Sequence, residues 1–258
     1  MIPHNLPTLG IEEEEAASGV LRSGWVAQGS EVEAFENELC DFFGIPNGHA
    51  VALASGSAAL YLAMWVLDGN DKRFGLPVYA CSSLRNAVGL VKGHPIYFDC
   101  NENSPNMDIS AAINSNIDIL VAPSMFGIPI EIPRYRNVKI IEDIAQSIGA
   151  LSNGQRIGLR GELGICSFYA TKMITSGGQG GAIISRDKNL ISEIRDYRKF
   201  DCRRDEKLRF NFQMTDLQAS IGRIQLKKLP FFIESREKFL LDITMPGFQC
   251  LKTIRLKM

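Results

Sequence analysis

An α/β fold, with a mostly parallel or mixed sheet covered by helices on both faces, is what this sequence predicts, and three observations predict it. Short apolar segments rich in β-branched residues recur along the chain, as at 117–122 (IDILVA) and 138–142 (VKIIE). Stretches long enough for crossover helices separate several of them, such as 82–92 and 108–115. The composition, 45% hydrophobic and 22% charged over 258 residues, suits a large soluble domain whose strands are buried on both faces.

In chain order, residues 31–43 (EVEAFENELCDFF) put Val32, Phe35, Leu39 and Phe42 at helical spacing, which predicts an amphipathic helix. His49–Ala54 reads as a short buried strand, and Ser55-Gly56-Ser57 opens a helix through Ala58, Leu60, Leu62 and Ala63. Further strands are expected at 95–99 (PIYFD), 117–122, 138–142, 164–169 (GICSFY) and 181–185 (GAIIS). From Thr215 to Leu241 the pattern is helical, with an interruption expected at Pro230. The predicted organisation is a large domain over 1–230 and a helical stump of a truncated C-terminal small domain over 231–258, too short for a core of its own.

Bulk properties exclude several function classes. A net charge of −1 gives neither a basic field for nucleic acid nor a polybasic membrane anchor. The N-terminus lacks a signal pattern and no apolar run nears membrane-spanning length, so a cytoplasmic protein is expected. The 6 cysteines are scattered without a CxxC pair and the 3 histidines are dispersed, which points to free thiols and to no metal site.

Three segments are placed where open α/β sheets keep their working residues, at the carboxyl ends of strands. The turn Ser55-Gly56-Ser57 at a helix start can bind an anion through free N–H groups, or can simply be a helix cap. In KIIEDIAQS (139–147) the strand ends in Glu142-Asp143; Asp143 can pair with a protonated pyridine nitrogen or cap the helix expected to follow. The sequence Ser167-Phe168-Tyr169-Ala170-Thr171-Lys172 then delivers a lysine into the glycine-rich loop 176–181. A lysine withdrawn from water is more readily neutral and can attack an aldehyde, whereas a lone lysine is ordinarily a surface group. The order of phosphate turn, aspartate and lysine is what joins the three. A three-glycine dinucleotide fingerprint is excluded, because the first strand–helix turn reads SGSAAL.

From Leu21 to Arg236 the chain resembles the DegT/StrS-type family of pyridoxal 5'-phosphate (PLP) aminotransferases, which adopt the fold-type I architecture. The residues that carry the resemblance are SGWVAQGSEVEAFENELCDFFG, VALASGSAAL, GHPIYFD with PNMD, IEDIAQSIGA, SFYATKMITSGGQGGAI and FNFQMTDLQASIGRIQLKKL, in the family's order. The resemblance implies that Lys172 carries PLP as a Schiff base and moves a proton, and that Asp143 pairs with the pyridine nitrogen. It places Gln146 by the cofactor's hydroxyl, and Gly56, Ser57 and Ser167 on its phosphate. Asn211 is implied to reach the phosphate of a neighbouring subunit, so that a homodimer shares its active sites.

The chain departs from the family in placing Cys81 where an aromatic ring commonly stacks on the cofactor, with Tyr79 two residues away. Gln213 stands where arginine is frequent and Ser124 where histidine is frequent. The activity implied is transfer of an amino group from an amino acid, glutamate above all, to a nucleotide-linked keto sugar in aminosugar biosynthesis. Lys172 separates this from the family's dehydratase branch, which has histidine there. The alternative is a truncated or degenerate member that binds PLP or a partner without efficient turnover. The apolar residues Phe231, Phe232, Phe239 and Leu240 are expected to form a face that a further domain would cover.

Overall fold

The computed structural model describes residues 5–133 and 137–243, with the side chains from residue 240 onward left out. Helices α1 (Ile11–Ser23) and α2 (Ser30–Phe43) lead into β1 (Ala50–Leu53), α3 (Gly56–Val66), β2 (Arg73–Pro77), α4 (Ser83–Leu90), β3 (His94–Phe98), α5 (Ile109–Ile113) and β4 (Ile119–Pro123). Then come β5 (Lys139–Asp143), the short pair β6 (Leu151–Ser152) and β7 (Gln155–Arg156), β8 (Leu163–Ser167), β9 (Gly181–Ile184), α6 (Lys188–Arg198) and α7 (Asp216–Ile243).

The main sheet has 7 strands in the order β1-β9-β8-β5-β4-β2-β3. Strand β9 runs antiparallel to both its neighbours, and every other pair from β8 to β3 is parallel. Strand β1 is therefore parallel to β8, and the carboxyl ends of β1, β8, β5, β4 and β2 share one edge of the sheet. That shared edge is where the candidate site lies.

Alternation along each strand divides the core between the two faces. In β1, Val51 and Leu53 pack with α3 and α6, while Ala50 and Ala52 pack with Val32, Phe35 and Leu39 of α2 and with Leu229 of α7. A third cluster joins Leu120, Ala122 and Ile140 to α5 residues Ile109, Ala112 and Ile113. Phe35 meets Phe168 at 5.2 Å between ring centroids, which seats α2 on the residue directly after β8. Burying side chains of this size contributes ~1.5–3 kcal/mol each, so this packing sets the layer order.

The expected strands form, and so do the expected helices except the one after Asp143, where residues 145–149 make turns; the ends shift by a residue or two. Strand β2, RFGLP, goes beyond the apolar pattern: it is central, yet has no β-branched residue and contains Gly75 and Pro77. Helices α1 and α6 are also additions. The interruption expected at Pro230 is absent, since α7 continues through it as one helix. Pro230 faces solvent, where the carbonyl it leaves unpaired, that of Leu226, can be satisfied by water. Of the apolar residues beyond it, Phe231 and Phe239 are exposed but Phe232 packs on the α2–α7 core, and the Leu240 side chain lies outside the described residues. Cys40, Cys81, Cys100, Cys166 and Cys202 are free thiols, and Cys250 lies outside the described residues. Among the described residues no helix is long and apolar enough to cross a membrane.

The edge strand β1 is closed by side chains. The Ala52 N–H donates to Glu36 Oε1 at 2.9 Å, Arg198 Nη1 donates to the Ala52 carbonyl at 2.7 Å, and Arg195 Nη2 to the Ala50 carbonyl at 2.6 Å. Glu36 is ion-paired to both arginines, and Glu36 and Arg198 are buried. Replacing Glu36 by alanine should therefore lower the unfolding free energy by about 3–5 kcal/mol in urea titrations, because Arg198 is left as an uncompensated buried charge. A loss below ~1 kcal/mol, the worth of an exposed pair, would mean that packing alone holds this edge.

Candidate active site

At the carboxyl edge of the sheet a cavity of about 300 Å³ is lined by Gly56, Ser57, Cys81, Asp143, Gln146, Ser167 and Lys172, together with Tyr169 and Gln179. Of the residues that the resemblance assigned to the cofactor, all but Asn211 are brought here. The volume is at the small end of ligand sites.

The first wall is the start of α3. Ser55 Oγ accepts from the Ala58 N–H at 3.1 Å, so the capping reading of this turn holds. The same turn borders the cavity. A helix leaves its first N–H groups without internal partners, and here Gly56 and Ser57, at the start of α3, line the cavity together with Ser167. A Cβ at position 56 would lie 2.8 Å from Ser167 Cβ and 2.9 Å from its Oγ, so glycine is what lets the two segments close into a cradle.

The floor is the end of β5, where strand alternation separates two adjacent carboxylates. Glu142 turns away and accepts from the N–H groups of Gly158 and Gly161, each at 2.8 Å, which makes it scaffold. Asp143 turns into the cavity. Its Oδ1 accepts from the Ala145 N–H at 2.9 Å, closing a turn rather than the helix cap that the sequence suggested. Among the described residues Oδ2 receives no hydrogen bond. Burial pushes the Asp143 carboxyl above the ordinary aspartate range, against the Ala145 N–H and the Lys172 charge, which both lower it. A buried carboxylate with a free oxygen calls for a cationic or N–H partner.

Lys172 is half-buried on the loop after β8. That loop folds back on itself: Phe168 N–H donates to the Gly180 carbonyl at 2.9 Å, Ala170 N–H to Gly178 at 3.1 Å, and Ser176 N–H to Phe168 at 3.0 Å. Gly178 sits at φ 135°, which only glycine adopts readily, so the return path depends on it. Asn5 Nδ2 donates to the Thr171 carbonyl at 2.7 Å, bringing the N-terminal segment onto the same loop.

Beyond β4, Gln146 Oε1 accepts from the Phe126 N–H at 3.2 Å. The turn Met125–Gly127 that supplies this donor is held by the buried amide of Asn106, which accepts from Met125 N–H at 2.8 Å and donates to the Ile128 carbonyl at 3.0 Å. Ser124, in place of a family histidine, accepts from Ile130 N–H at 3.1 Å and so serves the turn. Phe126 has φ 54° and ψ 29°, a left-handed backbone costing a non-glycine residue ~1–2 kcal/mol. Asn106, Tyr169 and Gln179 escaped the sequence reading; Asn106 lies in PNMD, whose signal was only its place in the resemblance.

Cys81 is exposed at the cavity wall, and hydrogen bonds from Ser83 hold its thiol below the ordinary cysteine range. Tyr79 does not replace it in the lining; its ring turns outward to Phe126. Asn211 is exposed outside the cavity, its Oδ1 accepting from Gln213 N–H at 3.1 Å. The charged loop before it, residues 201–209, is largely exposed but tied to α6 by ion pairs. Arg209 and Lys207 bond Asp196 of α6 at 2.8 and 3.2 Å, Arg203 also pairs with it, and hydrogen bonds from Arg209 hold Asp205 down to about 2.

A mostly parallel sheet with one reversed strand beside its edge, and a lysine, an aspartate and a helix start at its carboxyl lip, is the large-domain architecture of fold-type I aminotransferases. The chain belongs to the DegT/DnrJ/EryC1/StrS aminotransferase family, whose model matches residues 7–250. It is 28% identical over 262 residues to the uncharacterized protein MJ1066 of Methanocaldococcus jannaschii, covering 92% of this chain and 67% of that one. An aminotransferase from Psychrobacter cryohalolentis superposes with a TM-score of 0.77 at 26% identity, over 88% of this chain and 64% of the other. GDP-4-keto-6-deoxymannose-3-dehydratase with a trapped PLP-glutamate geminal diamine shares the fold with a TM-score of 0.85 at 23% identity, over 94% and 72% of the two chains.

Because burial raises Asp143, the folded chain holds that proton more tightly than the unfolded chain. The associated stability is complete below the ordinary aspartate value and is lost as pH rises through it toward the raised one. Cofactor-free Asp143→Asn protein should therefore be more stable than the parent at neutral pH. The difference should shrink as the pH falls to ~4. Equal pH dependence of the two melting curves would show that the carboxylate is not penalised by its surroundings.

Proposed function

We propose that this protein is a PLP-dependent aminotransferase that moves an amino group from an amino acid, glutamate in the first instance, to a nucleotide-linked keto sugar. The observation that carries the reading is the convergence of Lys172, Asp143 and the α3 start in one cavity, with a cradle between Gly56 and Ser167 and a buried carboxylate that receives a single hydrogen bond among the described residues. These residues fit the cofactor. The family membership supports the reaction class, and the dehydratase of the same fold accommodates both PLP and glutamate.

Bound there, PLP supplies an aldehyde for the lysine amine and a ring that draws electrons from the substrate carbon. Lys172 holds the cofactor and then carries the proton at its Nζ between substrate and cofactor. Asp143 Oδ2 holds the pyridine N–H, and the charge of that pair offsets the cost of burying the carboxylate. The N–H groups of Gly56 and Ser57, with the Ser57 and Ser167 hydroxyls, bind the phosphate against the positive end of α3. Gln146, fixed through Phe126 N–H, orients the ring hydroxyl through its amide. In this reading residues 1–230 form the cofactor-binding unit. Asn211, exposed and held at its base by the Phe212 backbone pairing with β1, reaches the phosphate of a second subunit in a homodimer.

Adding PLP to the purified protein should produce a visible absorbance band, and borohydride should then fix the cofactor on Lys172. Lys172→Ala should lack the band, keep the fold by circular dichroism, and lose at least ~100-fold in amino transfer. Attachment to another lysine, such as Lys199, would refute the assignment. For the shared site, mixing Lys172→Ala with Asn211→Ala chains should restore activity, since some sites then regain both groups. No recovery after demonstrated subunit exchange would put Asn211 in its own chain's site or in none.

A further inference from the structure

Two aromatic rings, each one residue from the cavity lining, belong to none of the three core clusters. Tyr79 is 52% exposed and Phe126 60%, and their rings stand 6.2 Å apart at 36°, splayed open to solvent. They leave the carboxyl ends of β2 and β4, which are adjacent strands, so both stand at the lip. The fold maintains Phe126 in that place at a cost: its backbone is left-handed, and the turn is clamped by the Asn106 amide at Met125 and Ile128 and by Gln146 at Phe126 itself. A large ring held outward on a strained and clamped backbone is presented to something.

Resting on the proposed function, we infer that Tyr79 and Phe126 form an aromatic wedge that receives the hexose ring of the acceptor, its C–H face lying on their ring faces. Reach selects the hexose over the base. Phe126 directly follows Met125 and Tyr79 directly precedes Ala80, both of which line the cavity, and consecutive Cα atoms are ~3.8 Å apart. The ring carrying the reacting carbon must lie in the cavity with Lys172, so it is the part of a nucleotide sugar that residues one step from the lining meet; a base beyond a pyrophosphate lies farther out. The wedge thus sets which acceptors bind without touching the cofactor or the amino donor.

The test uses the full chain loaded with PLP and two variants, Phe126→Gly, which removes the ring while relieving the left-handed backbone, and Tyr79→Ala. Binding of UDP-glucose, UDP-N-acetylglucosamine, dTDP-glucose and GDP-mannose is measured by calorimetry beside UDP, dTDP and GDP. At least one sugar nucleotide should lose about three- to tenfold in affinity in each variant, the scale of an aromatic contact, while its free nucleotide is unaffected. The wedge is refuted if no sugar nucleotide binds the variants more weakly than the parent, or if the nucleotides lose as much. It is refuted equally if sedimentation shows the variants dissociating an oligomer that the parent keeps, which would make the rings a contact between copies. The PLP absorbance band, read in the same samples, judges the function separately: a parent without the band but with ring-dependent sugar binding sinks the aminotransferase and leaves the wedge.

Discussion

The closing of β1 is the constraint on which the site depends. An edge strand leaves a row of peptide groups open, and β1 is buried, so water cannot satisfy them. Glu36, Arg195 and Arg198 satisfy the row at Ala50 and Ala52, and the incoming chain continues it, with Ala54 N–H donating to the Phe212 carbonyl at 2.9 Å. With one side locked by side chains, β1 pairs on its other side with β9, and β9 with β8. The register brings Leu53, Gly181 and Ser167 abreast. A Cβ on Gly181 would lie 2.4 Å from the Ser55 carbonyl oxygen, so glycine there is what allows the turn after β1 to lie against β8. The cradle between Gly56 and Ser167 is the outcome of that register.

The same geometry allots charges. Neighbouring residues on a strand face opposite ways, and β5 uses this to give Glu142 and Asp143 unrelated tasks. Glu142 is saturated by backbone N–H groups and holds the segment around residue 160, whereas Asp143 has a single hydrogen bond and a surrounding that resists its charge. Stability alone would favour a neutral residue at 143. The carboxylate becomes favourable once a cation sits opposite it, which is the condition a pyridinium meets.

Much of this was legible in the sequence, and the gaps have physical causes. The apolar strands and the phosphate turn, aspartate and lysine follow from local patterning, because a strand's carboxyl end is where such residues are useful. Strand β2 was not, since RFGLP owes its place to neighbours on both sides rather than to its own propensity. Asn106 was invisible as a working residue because its partners lie 19 and 22 residues onward. Pro230 misled in the other direction: an exposed proline in a helix packed along its opposite side does not end it.

Cys81 bears on how a cofactor would be held. An aromatic ring stacked on the pyridine is worth ~0.5–1.5 kcal/mol beyond area burial, and a thiol forgoes most of that. Hydrogen bonds to a charged group contribute ~1.5–3 kcal/mol each, and in the proposed binding mode the α3 start would offer two N–H groups and the Ser57 hydroxyl, and the end of β8 the Ser167 hydroxyl, to a phosphate dianion. The phosphate side therefore outweighs the loss at position 81 several times over. Stacking acts on the ring's tilt as well as on its affinity, however, and the thiol leaves that to other groups. In the proposed binding mode Gln146 and Asp143 hold the ring at two edges, and Gln146 is itself fixed by the Phe126 N–H. On the proposed reading, the turn that carries Phe126 would also steady the ring inside, so that substrate recognition and cofactor orientation would share one strained loop.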